Sequence, residues 1–233
     1  MKYDKAYVIG SDELAPNRLK KFFSKNLLEN KKIELWSAII GTKVNIPEYQ
    51  EKGFLTHDFK LNMAGSLGCY LSHVTLWEHC VKDKNCNIAL IFEDDAIIKN
   101  DFNLKISEIE ENELPEDWTI LKLSYKGLQG TPISKRIIKP FPITKKGANA
   151  GNWCYLLNVK NVSTLLEVLK PYDNRISIDV IMRNNIEKLK ILFSKYNHAI
   201  HYEKNYSLRK DLNLQNKNLL QIIKFTFRKY FKN

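Results

Sequence analysis

The sequence predicts an α/β fold in which a mixed sheet is flanked by helices. Three observations lead there. Short apolar runs that stop at glycine or at acidic residues alternate with stretches of helical spacing. The length of 233 residues suits one large α/β domain, or one domain with an appendage. With 44% hydrophobic and 11% aromatic residues the chain can bury a real core, which excludes a disordered polymer.

The elements follow in order. "KAYVIG" (5–10) reads as a buried strand ending at Gly10. "NRLKKFFSKNLLENK" (17–31) places Leu19, Phe22, Phe23, Leu27 and Leu28 at helical spacing. "KIELWSAIIG" (32–41) is a second strand, ending at Gly41, and β-α-β alternation is the pattern of a parallel sheet with covering helices. Residues 44–62 look irregular. "GSLGCYLSHVTLWEHCVKD" (65–83) is a helix for the sheet, with Leu71, Val74, Leu76 and Trp77 at packing positions. "IALIFEDD" is the third strand, residues 101–114 a helix stopped by Pro115, and "WTILKLS" (118–124) a fourth strand. The Gly-, Pro- and Lys-rich residues 125–152 predict a hairpin or loop. "NWCYLLN" (152–158) is a strand, 162–171 a helix ended by Pro171, and 177–189 a helix that Ser177 caps. Late strands fall in 191–203, and the tail from Leu214 is helical.

Charge is unevenly placed. The formal net charge is +11, but residues 204–233 hold eight basic residues and one acid, Asp211, so +7 of it belongs to the tail. That weakens a nucleic-acid reading of the domain, since an anionic partner would meet the tail first. Cys69, Cys80, Cys86 and Cys154 include no C-x-x-C pair and are too few for a disulfide scaffold, so they read as reduced thiols. The N-terminal stretch has no apolar core long enough for a signal peptide and no run approaches a membrane span, so a cytoplasmic protein is expected.

The chemistry concentrates at "LIFEDDAII". Glu93, Asp94 and Asp95 interrupt two apolar segments. Burying adjacent like charges is costly without a partner. Such a triplet is either a solvated strand end or a place where something positive sits. In open α/β sheets ligands bind beyond the carboxyl ends of the strands, and adjacent hard oxygens there suit Mg²⁺ or Mn²⁺ with substrate phosphates.

A second motif precedes it: Gly65, Gly68, Cys69, Ser72 and His73 in "AGSLGCYLSH". The two blocks together resemble glycosyltransferase family 25, the lipooligosaccharide-biosynthesis glycosyltransferases, in which a Gly-Glu-x-Gly-Cys-x-x-Ser-His block is followed by Leu-x-Glu-Asp-Asp. Ser66 stands where Glu is usual, and Gly10 where Leu is usual, while Arg18 matches. "SAIIG", "NWCYLLNVKNVSTLL" and "SIDVIM" resemble further segments, so the similarity spans residues 5 to roughly 209. It implies a GT-A-like fold with a Rossmann-type nucleotide-sugar half (about 1–124), an acceptor half (about 125–212) and a basic amphipathic tail (213–233). It implies a UDP-sugar donor, UDP-galactose first among them, a divalent metal, and inverting transfer to a bacterial lipooligosaccharide.

Site residues follow. Asp95 is the first candidate for the metal, with Glu93 or Asp94 assisting and His201 as an additional ligand. Gly10, Arg18, Gly68, His73 and Asp94 form the donor-facing set, Arg18 through a bidentate contact to diphosphate. Arg209 and Lys210 are further cations for the leaving group. Asp179 is either the general base for the acceptor hydroxyl or an acid placed by the helix dipole. His198 and His201 otherwise read as exposed strand histidines, and Cys69 as packing. In the tail, Leu219, Ile222, Ile223 and Phe227 share one helical face and Lys224, Arg228 and Lys232 another. That pattern suits an anionic membrane surface and places the chain on the inner face of the bacterial inner membrane, close to a lipid-linked acceptor.

Overall fold

The computed structural model describes residues 1–28, 32–142 and 149–201. The C-terminal helix, the boundary at 212, Arg209 and Lys210 lie outside the described residues. Within them is a three-layer α/β/α arrangement. The strands are β1 (Lys5–Gly10), β2 (Ile33–Ser37), β3 (Ile88–Glu93), β4 (Ala96–Ile98), β5 (Ile120–Lys122), β6 (Gly130–Pro132), β7 (Ile137–Pro140), β8 (Cys154–Asn158), β9 (Ile191–Ser194) and β10 (Ala199–His201). The helices are α1 (Pro16–Lys25), α2 (Ile46–Glu51), α3 (Ala64–Lys82), α4 (Phe102–Ser107), α5 (Val162–Leu169) and α6 (Ile178–Asn184).

Eight strands form one sheet in the order β2-β1-β3-β8-β5-β9-β7-β6. β2, β1 and β3 are parallel, β8 runs antiparallel between β3 and β5, and β5 is parallel to β9. The expected mixed sheet flanked by helices is observed; the purely parallel sheet that β-α-β alternation suggests is confined to one edge, because β8 and β7 run antiparallel within it. Alternation along the strands sends Tyr7, Ile9, Ile91, Tyr155 and Phe193 to one face, under α3, α5 and α6. It sends Ala6, Val8, Leu90, Phe92, Leu156 and Leu192 to the other, under α1 and α4.

Helix α3 is the central one. Thirteen of its nineteen residues are buried, which explains why its sequence is apolar nearly all round. Its glycines are packing devices. A Cβ on Gly68 would come within 2.4 Å of the Ile39 carbonyl oxygen, and one on Gly41 within 1.8 Å of the Ala64 carbonyl oxygen. The start of α3 can thus abut the loop after β2. Ser72 completes the join, accepting from the Ile39 N–H (2.8 Å) and donating to the Gly68 carbonyl (2.6 Å).

Several elements are shorter than their patterns suggest, for local reasons. The 17–31 helix ends at Lys25 because the buried Asn26 side chain leaves the helix. It donates to the Phe22 and Ala96 carbonyls and accepts from the Ile98 N–H, which ties α1 to β4. The 101–114 helix stops at Ser107, where the Met1 ammonium takes the carbonyls of Ile106, Ser107 and Ile109. Residues 125–152 do contain a hairpin, β6–β7. Ser177 occupies the N-cap position of α6 but makes no side-chain cap there; its carbonyl accepts from Val180 and Ile181.

A separate two-stranded ribbon pairs β4 with β10 antiparallel, in a register that sets His201 opposite Ala96. This small pairing delivers His201 to the residue next to Asp95.

His198 is not the exposed strand histidine expected. It is buried, its Nε2 lies 2.7 Å from Ser194 Oγ, and its ring meets Phe102 edge-on. Burial pushes its pKa down to about 4. The unfolded chain therefore takes up this proton first, and stability is lost as pH falls from about 6.5 to about 4. A loss on the order of 3 kcal/mol is expected at the lower end. His198→Gln cannot titrate, so its melting temperature should fall less steeply than the wild type's across that window. Parallel slopes would refute the assignment.

Candidate active site

The carboxyl end of β3 opens onto a cavity of about 440 Å³. Glu93 is the last residue of β3, and Asp94 and Asp95 form the turn into β4. The Glu93 N–H donates to the Trp153 carbonyl (2.9 Å) and the Asp94 N–H to the Ile9 carbonyl (3.2 Å), so the turn is fixed to β1 and β8. Gly10 allows this approach, because a Cβ there would sit 2.5 Å from the Leu19 side chain and 3.1 Å from the Asp94 Cβ.

Something positive does sit with the triplet. The Arg18 guanidinium, expected to face the donor diphosphate, is directed at the acids. It makes a short hydrogen-bonded ion pair with Asp94 Oδ1 and lies 3.1 Å from Asp95 Oδ2. His201 Nε2 is 3.2 Å from the same Asp95 oxygen, and His73 Nε2 is 3.3 Å from Glu93 Oε1. Burial pushes the Asp94 carboxyl up to about 7, against the pull of Arg18; the charges of Asp95 and Glu93 push the same way.

Nine of the candidates, Gly10, Arg18, Gly68, His73, Glu93, Asp94, Asp95, Asp179 and His201, line this one cavity; Arg209 and Lys210 lie outside the described residues. The nine come from β1, α1, α3, the β3–β4 turn, α6 and β10. Asp179 is in the first turn of α6. Cys69, expected as packing, also faces the cavity, whereas Ser66 is buried with its hydroxyl 3.9 Å from the Met63 sulfur.

The structure adds residues that sequence reasoning missed. Trp153 stacks on the His201 ring, with centroids 4.5 Å apart and planes at 20°, and Lys126 Nζ lies 5.8 Å from the Trp153 ring. Asn152 lines the wall beside them. Lys122, on β5, is 1% exposed, and burial pulls its ammonium down to about 8 while the Asp179 and Glu93 charges hold it up. The signal for Lys122 was present in "WTILKLS", as one lysine inside an apolar strand.

The acid turn keeps acceptor capacity that a cation could use. Asp95 Oδ1 is buried and has no hydrogen-bond partner among the described residues, and the same holds for His201 Nδ1 and Asn152 Oδ1. A carboxylate oxygen left in that state is costly unless a ligand meets it. Among the described residues, the one group of three His, Cys, Asp or Glu side chains whose donor atoms lie within 4.8 Å of one another is Cys69, His73 and Glu93; Asp95 and His201 are not part of it.

Fold and site together define an α/β protein with a cavity beyond the carboxyl ends of its central strands, lined by three adjacent carboxylates, at the place where open α/β sheets bind ligands. The chain belongs to glycosyltransferase family 25 (LPS biosynthesis protein), whose family model matches residues 4–182. Human procollagen galactosyltransferase 2 is 21% identical over 150 residues, 64% of this chain and 22% of that protein. A bovine protein named probable inactive glycosyltransferase 25 family member 3 is 26% identical over 137 residues, 57% of this chain and 21% of that protein. The chain thus spans about a fifth of the length of the curated relatives it matches. Among solved structures, mouse xyloside xylosyltransferase 1 is similar with a TM-score of 0.44 at 12% identity, covering 80% of this chain and 69% of that one.

Proposed function

We propose that this chain is an active glycosyltransferase that moves a sugar, galactose from UDP-galactose, onto a lipid-linked oligosaccharide of the lipopolysaccharide type, with inversion and with a divalent metal. The observation that carries the reading is the buried oxygen of Asp95, without a partner among the described residues, in a cavity that Asp179 also lines. The family's description as an LPS biosynthesis protein and the galactosyl activity named for the human relative support the acceptor and the sugar. A GT-A-like division of labour fits the cavity, with the β1–β3 edge facing the nucleotide and α6 facing the acceptor.

In this reading Asp95, with Glu93 and His201, would hold Mn²⁺ or Mg²⁺, which neutralises charge on the donor diphosphate as the nucleotide leaves. Arg18 keeps Asp94 and Asp95 in place by charge-assisted hydrogen bonds. Gly68 keeps the start of α3 tight against the loop after β2, which leaves room for the donor. Asp179 accepts the proton of the attacking acceptor hydroxyl.

A donor screen tests the proposal. UDP-, GDP- and CMP-sugars are offered with and without Mn²⁺, and nucleotide release is scored. Release from UDP-galactose that EDTA abolishes is expected; metal-independent release, or preference for another nucleotide, overturns the corresponding part.

Among the described residues no helix is long and apolar enough to cross a membrane. The proposed site of action is the cytoplasmic face of the inner membrane, reached through the basic tail. Five of the tail's cations, Lys217, Lys224, Arg228, Lys229 and Lys232, follow Leu212, and each is worth about 1 kcal/mol near an anionic surface. Sedimentation with anionic but not neutral vesicles, weakening as salt rises, is the expected result. Equal recovery with both vesicle types would count against it.

A further inference from the structure

The His73 imidazole is 1% exposed and held from both sides. Its Nδ1 lies 2.8 Å from the Tyr155 hydroxyl oxygen, and its Nε2 lies 3.3 Å from Glu93 Oε1. The same hydroxyl oxygen accepts a hydrogen bond from the Trp77 indole N–H at 2.9 Å. Tyr155 and Trp77 are both 1% exposed.

The proton inventory fixes the directions. Burial pushes the Tyr155 phenol well above its ordinary range, so it keeps its proton. Trp77 can only donate. Among the described residues, the one acceptor within reach of the Tyr155 O–H is His73 Nδ1. A hydroxyl proton left unpaired in a dry core costs about 1–3 kcal/mol, so Tyr155 donates to Nδ1. The imidazole then carries its single proton on Nε2, which points at the Glu93 carboxylate. This also decides the Cys69–His73–Glu93 grouping. A metal at Nε2 would displace that proton to Nδ1 and leave the Tyr155 hydroxyl without an acceptor, so the spacing alone does not make a metal centre.

We propose that Tyr155, fixed by Trp77, is a positioning residue for sugar transfer: it locks the His73 proton on Nε2, and His73 in turn holds Glu93 in the orientation the cavity uses. The inference rests on the reading of this cavity as the transfer site. The chain runs from α3 (Trp77) to β8 (Tyr155), back to α3 (His73) and out to the end of β3 (Glu93). It transmits the rigidity of the packed core to a carboxylate that is 25% exposed. Without it, Glu93 would be oriented only by its backbone.

The test uses the full chain. Long-range ¹H–¹⁵N spectra, with the His73 signals assigned by their loss in His73→Gln, are expected to show the Nε2–H tautomer in the wild type. In Tyr155→Phe, which keeps the ring and removes the hydroxyl, a mixture of tautomers is expected. Its kcat for nucleotide release should fall about 10–100-fold, as for other residues that orient a ligand from behind, with the donor KM changed little. Trp77→Phe keeps the Tyr155–His73 bond and should keep the Nε2–H tautomer. A wild-type His73 protonated on Nδ1, or on both nitrogens, overturns the proposal even if Tyr155→Phe does not fold. So does Tyr155→Phe turnover at the wild-type rate. A wild-type chain that shows the tautomer but turns over no donor refutes the transfer reading, and the positioning role with it, while the hydrogen-bond chain stands.

Discussion

Replacing Asp95 by Asn is expected to reduce nucleotide release from the donor by at least about 100-fold, since even residues behind a metal ligand cost 10–100-fold when removed. The substitution keeps the shape of the side chain and removes its charge. In the folded protein Asp95 is 14% exposed and faces Arg18 and His201 through one oxygen. Its other oxygen is buried and has no partner among the described residues. The new amide would present either its oxygen, a poorer ligand, or its NH₂ group, which repels a cation. The fold should survive, because Arg18 keeps its stronger partner in Asp94. Nucleotide release and the thermal transition measured on one preparation separate the two effects. Near-normal turnover in Asp95→Asn, or insensitivity of the wild type to EDTA, would remove the metal from the proposed mechanism.

The acid triplet was legible in the sequence because it breaks an apolar run, and few physical arrangements excuse three carboxylates there. What compensates them was not legible. Arg18 was assigned to a phosphate because a guanidinium fits either anion equally well, and only the packing of α1 beside the β3–β4 turn makes the carboxylates its partners. His201 reaches Asp95 across 106 positions through a three-residue ribbon. Strands that short carry no periodicity to read. Trp77 reads as a packing residue in "VTLWEHC", and nothing in "NWCYLLN" singles out Tyr155. Their polar tips matter only because β8 inserts antiparallel beside β3, bringing Tyr155 opposite Ile91 and under α3. His198 failed in the opposite direction: a polar residue in a polar stretch was read as exposed, and Ser194 and Phe102 bury it. The glycines of "SAIIG" and "GSLG" were visible as a pattern. Their reason, two backbones in contact, needed the three-dimensional neighbour.

Replacing Asp179 by Asn is expected to lower kcat by about 10²–10⁴-fold, the usual cost of a lost general base, with little change in donor affinity. The placement supports this split. Asp179 lines the same cavity as the triplet but enters from α6, whereas Gly10, Arg18 and the triplet enter from the β1–β3 edge, which the proposed function assigns to the nucleotide. A group on the far wall can reach an attacking hydroxyl without touching the diphosphate. The buried Lys122 ammonium feels both Asp179 and Glu93, so the two walls share one electrostatic environment. In Asp179→Asn that ammonium loses one of its two compensating carboxylates. Its ordinary charge then becomes harder to keep, and the thermal transition should fall modestly while turnover falls steeply. Steady-state kinetics over a donor series, together with donor titration of the variant, checks the assignment. If donor binding weakens while turnover at saturation is preserved, Asp179 belongs to the donor side, and the proton of the acceptor hydroxyl must leave through another group.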